Sequence, residues 1–120
     1  MISIKLHSLV GLLLLFASTA SWAGPTPLPR DVQSFAELRE SCDHWRGESG
    51  YDEERQKDID WSICQSCRGT DAELARLKRK YRHSARVMDA LAAYDPHVEP
   101  EDKAAVERFC KMTRKPSWER

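Results

Sequence analysis

Four cysteines, Cys42, Cys64, Cys67 and Cys110, constrain this chain more than any other feature. An even count in a short exported chain is the pattern of a disulfide framework, here two bridges. A small helical core is otherwise marginal. Closing a loop of 15 to 100 residues stabilises by roughly 3 to 5 kcal/mol in the chain-entropy account, a large share of a domain's stability. Three connectivities are open. Cys42–Cys67 with Cys64–Cys110 is preferred because it ties the first and last helices to a central junction. Cys42–Cys64 with Cys67–Cys110 does the same job, and Cys64–Cys67 with Cys42–Cys110 ranks third.

The case for export lies at the front of the chain. Met1 to Ala23 has Lys5 near its start, an apolar run from Leu9 to Ala17, and small residues in Ser21-Trp22-Ala23 where a signal peptidase cuts. The run is too short for a good membrane span, and charged, proline-containing sequence follows it. The expected organisation is a signal peptide over 1–23 and an extended leader over 24–33. A single helical domain over 34–112 and an irregular tail over 113–120 complete it. The mature protein is then periplasmic or secreted and not membrane-spanning.

The domain turns on the junction Cys64-Gln-Ser-Cys67-Arg68-Gly69-Thr70. Gly69 suits the residue after a helix, where a left-handed backbone is cheap only without a Cβ. Thr70-Asp71-Ala72-Glu73 has the form of a capping box opening the next helix. From there to Tyr94 no Gly or Pro intervenes, and Leu74, Leu77, Tyr81, Met88 and Leu91 share a heptad-spaced stripe. One long helix ending before Pro96 is preferred; a break at Ser84, acting as a fresh cap, is the alternative. Upstream, Ser34 to Glu37 forms a second capping box, for a helix carrying Phe35, Leu38, Cys42 and Trp45 on one side. Another helix starts near Asp52 and presents Ile59, Ile63 and Cys67 inward. Pro100 suits the first position of a last helix whose Val106, Phe109 and Cys110 face the core, and Pro116 ends regular structure. The expected fold is all-α, a small disulfide-stapled bundle of four or five helices.

Charge is balanced in total, with 19 Lys and Arg against 19 Asp and Glu, which argues against a general polyanion binder. The distribution is uneven. Residues 31–60 hold ten acids and four bases, whereas residues 68–86 hold seven bases and two acids. Acidic and basic helices lying side by side account for this most simply. A basic face of Arg76, Arg79, Lys80, Arg82 and Arg86 open to an anionic cell-wall or lipid surface, or to an acidic protein, is the functional alternative. Nucleic acid is excluded as a partner by export and by the lack of interleaved aromatic residues. A second candidate surface is Asp43, His44, Trp45, Arg46 and Glu48, since Trp and Arg anchor many interfaces.

Catalytic chemistry finds little support. Cys64-x-x-Cys67 has the spacing of thiol oxidoreductases, but it sits at a helix end whose dipole disfavours a thiolate. A zinc site drawn from Cys42, His44, Cys64 and Cys67 would pair one good spacing with an unusual one, and export favours oxidation. Glu53 with Glu54, or Asp58 with Asp60, reads as a solvated acidic face rather than a glycosidase pair. No nucleophile motif, phosphate loop or haem-attachment motif appears, so neither an enzyme nor a cofactor is expected.

Ile63-Cys64 followed by Leu74, Leu77 and Tyr81 loosely resembles exported lysozyme-inhibitor proteins of the LprI-like type, and the resemblance implies an inhibitor. Compactness, the missing catalytic motifs and the charge polarity give the expected role, a binding protein that is an inhibitor or immunity-type partner of an envelope protein such as a cell-wall hydrolase. An envelope acid or stress chaperone is a competing reading, because many carboxylates around a small stapled core allow acid-triggered opening. A thiol-disulfide protein using Cys64-x-x-Cys67 is another.

Overall fold

Five α-helices and a short 3-10 turn follow one another, with no strand among the described residues. The computed structural model describes Ser21 and residues 24–119, so the expected signal peptide, Ser21 apart, lies outside the described residues. Helix α1 spans Arg30–Arg46, α2 Glu53–Cys67, α3 Thr70–Lys80, α4 Ala85–Leu91 and α5 Lys103–Met112, and the 3-10 turn is Ser117–Glu119.

Helix α1 starts a full turn before the Ser34 capping box. Pro29 precedes it with an extended backbone, and its carbonyl accepts the Gln33 N–H at 3.0 Å. The early start is explained by burial. Leu28 packs on the core, and one extra turn adds Val32 to the stripe below Phe35. The buried stripe is Val32, Phe35, Arg39 and Cys42, while Leu38, expected inside, is 43% exposed.

Helix α2 begins as its caps imply, the Asp52 carboxylate accepting the Arg55 N–H at 2.8 Å. Its buried face includes Ser62 and Ser66, whose hydroxyls donate to the carbonyls of Asp58 and Ser62 one turn back. These small side chains let α1 approach, and Cys42 bonds to Cys67 across a Cα separation of 4.8 Å. Ile63, expected inward, is only half-buried. Cys64 bonds to Cys110 with its Cα 5.6 Å away.

Gly69 adopts φ +80°, the left-handed turn that separates α2 from α3. The capping box expected at Thr70 does not form. Gly69 itself takes the cap position, and the Glu73 N–H bonds to the Gly69 carbonyl at 3.0 Å. The Thr70 hydroxyl instead donates back to the Cys67 carbonyl at 2.8 Å.

The single long helix preferred from the sequence is broken. Helix α3 ends at Lys80, and the Ser84 hydroxyl caps α4 by accepting the Val87 N–H. Length explains the break. A continuous helix from 70 to 94 would run about 37 Å and overshoot the 17-residue α1 beneath it. Turning at residues 81–84 folds Val87 and Leu91 back onto Leu74, Leu77, Val32 and Phe35, and these six form the apolar core. Tyr94 closes it, its ring meeting Phe35 edge-on at 5.1 Å.

Helix α5 is capped by Asp102, which accepts the Ala105 N–H at 2.9 Å, so Pro100 lies outside it rather than at its first position. No α5 residue is fully buried. Phe109, expected in the core, is 45% exposed, and Val106 and Cys110 are half-buried. The Cys64 bridge seats α5 against α2, away from the six-residue core. Beyond it, Pro116 is buried and is followed by the 3-10 turn rather than ending regular structure.

Candidate interaction surfaces

The basic face is divided by the structure. Lys80 Nζ donates to Asp31 Oδ2 at 2.6 Å and the Tyr81 hydroxyl donates to Asp31 Oδ1 at 2.8 Å. Arg76 pairs with Glu73 at 2.6 Å and lies 3.8 Å from Asp31. The Lys80 and Tyr81 hydrogen bonds hold the Asp31 carboxyl down at about 2, and the Asp31 contact raises Lys80 in turn. Arg76 likewise holds Glu73 below its ordinary range. Arg86 donates to the carbonyls of Thr26 and Pro27, clamping the leader. Three of the five basic candidates are thus engaged within the chain. Arg82 donates only to the Arg79 carbonyl, and among the described residues neither Arg79 nor Arg82 has an ion-pair partner. The charge asymmetry is in part neutralised by α1 lying beside α3.

The patch from Asp43 to Glu48 is also internally paired. Arg46 bonds to Asp43 at 2.9 Å. Arg55 from α2 covers the Trp45 ring at 5.2 Å and reaches toward Glu48 at 3.9 Å, and His44 meets Trp45 edge-on. These exposed contacts order the end of α1 but are each worth under about 1 kcal/mol. Trp45 also lines a shallow groove with Trp61 of α2 and Trp118 of the tail.

The densest polar constellation involves residues not anticipated as a site. Arg39 is fully buried on α1. Its Nε donates to Thr70 Oγ1 at 3.1 Å and one terminal nitrogen to Asp71 Oδ1 at 2.8 Å. The other terminal nitrogen donates to the Asp95 carbonyl, and the guanidinium lies 5.4 Å from the Phe35 ring centre. Asp71 also accepts the backbone N–H groups of Val98 and Glu99. Glu99 replies by accepting the N–H groups of Gly69 and Asp71 at 2.8 and 3.0 Å. The start of α3 is therefore capped from a distant loop, which is why Thr70 has no need to cap it. A signal was present in the sequence: Arg39 occupies the i+4 place after Phe35 in a 3-4-3 apolar stripe. Every buried side-chain nitrogen and oxygen among the described residues has a partner, so this node is a structural lock rather than an open binding site.

An open site lies between α2 and α5. A groove of 420 Å³ is lined by Ile63, Val98, Pro100, Val106, Phe109 and the Cys64–Cys110 bridge, with Arg46, Arg68, Glu99 and Asp102 at its edge. On the far side of Phe109 a second hollow of 320 Å³ is bounded by Lys57, Asp60, Met112 and Arg114. Met112 is 74% exposed. Arg68 spans the groove's rim, its guanidinium donating to the Cys64 carbonyl and to both Glu107 oxygens. This face takes neither the basic strip nor the Asp43-to-Glu48 patch as its centre. Its sequence signal was the apolar spacing 106, 109 and 112, of which Val106 and Phe109 were expected in the core.

No cysteine is free, and Cys64 and Cys67 bond outward to Cys110 and Cys42 rather than to each other. No group of three or more potential metal ligands comes together among the described residues. Among the same residues no helix is long and apolar enough to cross a membrane. No known protein family, curated protein or solved structure matches this chain.

Proposed function

We propose that this chain is an exported, non-enzymatic binding protein of the cell envelope, of the inhibitor or immunity type, that docks a partner protein through the groove between α2 and α5. One observation carries the reading: α5 buries none of its residues fully and leaves Phe109 and Met112 exposed beside an apolar groove. Exposed apolar surface rimmed by charge is the usual form of a protein-binding face. Both signs stand at the rim, so the partner presents an apolar anchor side chain flanked by mixed charge. Two disulfides suit an oxidising compartment and keep the face rigid without a large core.

Affinity capture from envelope extract, followed by calorimetry with the recovered partner, tests the proposal. Phe109→Glu with Met112→Glu is expected to abolish binding, whereas Arg79→Glu with Arg82→Glu leaves it within about threefold, since rim and remote charges act mainly on rate. Binding that survives the first variant and is lost with the second would move the docking face to α3.

A further inference from the structure

We infer that the α5 face also takes a second copy of this chain, as an antiparallel, two-fold symmetric pair of α5 helices. The inference rests on the reading of this face as a docking surface and names one occupant of it. Two observations select a second copy. The first is shape: Phe109 stands as a ridge between two hollows, of 420 and 320 Å³. A surface with a ridge beside a hollow matches itself under a two-fold rotation, which is the requirement of an isologous interface.

The second is charge. The amino end of α5 exposes Glu101 and Asp102, and its carboxyl end exposes Lys111, Arg114 and Lys115. Antiparallel packing sets each acidic end against the other copy's basic end, and it also opposes the helix dipoles. Placing the axis midway between Val106 and Phe109 sets Phe109 of one copy over Val106 of the other. The same register brings Glu101 opposite Arg114 of the second copy, and the stem of Lys103 over Met112. A parallel pair would oppose like charges at both ends, so only one orientation satisfies the pattern.

Self-pairing covers the apolar face, and an envelope partner then has to compete for it. Sedimentation equilibrium of the disulfide-intact protein is expected to show a concentration-dependent monomer–dimer transition. Phe109→Glu weakens dimerisation about thirtyfold or more, because it places a charge at the centre of the contact. Glu101→Lys and Arg114→Glu each weaken it by about threefold to tenfold, since two copies of the ion pair are lost. Combining the two swaps restores dimerisation to near the starting value. Circular dichroism and disulfide mapping verify that each variant is folded.

A protein monomeric at every concentration up to about 1 mM overturns the inference, and so does a double swap no better than its worse single. Partner capture with the same variants separates the two proposals. If the dimer is absent but Phe109→Glu with Met112→Glu still abolishes capture, self-pairing alone fails. If neither dimer nor capture responds to those substitutions, both fail.

Discussion

The two halves of this molecule are held together by different physics. Where α1, α3 and α4 meet, six apolar side chains are almost wholly removed from water, and Arg39 ties α1 to the start of α3 and to the 95–99 loop. Where α5 meets α2, no α5 side chain is fully buried, and the attachment is a disulfide with the Arg68–Glu107 pair beside it. The first half follows from side-chain burial and resists change throughout. The second half is attached by a covalent link and a few polar contacts rather than by burial, and therefore leaves apolar surface uncovered. A small protein that must fold and also present an apolar face can separate those tasks in this way.

The sharpest challenge to that contrast is Arg39→Ala, which should cost about 3–5 kcal/mol because the Asp71 carboxylate loses its cation and the Asp95 carbonyl and Thr70 hydroxyl lose their donor. Urea denaturation measures it, and a loss below about 1 kcal/mol would show that the lock contributes little beyond the six apolar residues. Next comes the double variant Cys64→Ser/Cys110→Ser, with an expected loss of about 2–4 kcal/mol. Hydrogen exchange should find α5 amides unprotected while α1, α3 and α4 keep their protection. Retained protection in α5 would mean that its packing on α2 suffices, and the contrast between the halves would collapse.

Gly69→Ala should cost about 1–2 kcal/mol, since the residue holds φ +80° where a Cβ is strained although it meets no neighbour. Phe109→Glu should change stability by less than about 0.5 kcal/mol, the behaviour of a surface position, and a larger loss would return Phe109 to the core.

Acid supplies a last test, confined to the α1–α3 half. Asp31 has its carboxyl lowered from 3.8 to about 2 in the folded chain. Its contribution is therefore complete above pH 3.8 and is lost as pH falls through about 2. Glu73, also lowered, acts in the same direction. Denaturation midpoints measured between those limits should fall for the native sequence and fall less for Asp31→Asn. Equal slopes would remove the Asp31 contacts from the acid response.

The helix start at Asp52 was legible because a short polar residue stood immediately before a helical run, whereas the start at Ser84 was only the alternative to one continuous helix. The starts at Ser34, Thr70 and Pro100 were misread. At Ser34 and Thr70 a tertiary demand outweighed the local signal, namely burial of Val32 and the remote Glu99 cap, while at Pro100 the nearer Asp102 cap sets where α5 begins. The all-helical, stapled architecture was legible because caps, periodicity and cysteine count agreed. Spacing placed Arg39 on the buried stripe, but the lock it makes was not legible, because its partners lie in segments 31 or more residues away. The α5 face was hidden for a different reason. A stripe at positions 106, 109 and 112 looks the same whether it meets the chain's own core or another surface, and only the three-dimensional arrangement distinguishes them.

The order of the bridges along the chain bears on how the protein matures. On the proposed export route Cys64 would leave a membrane pore before Cys67, so oxidation in order of arrival would join Cys42 to Cys64. The finished molecule instead interlaces its links, Cys67 reaching back past Cys64 and Cys110 closing on it. On that route the first oxidation would be delayed or reshuffled afterwards, a step that a consecutive arrangement would not call for.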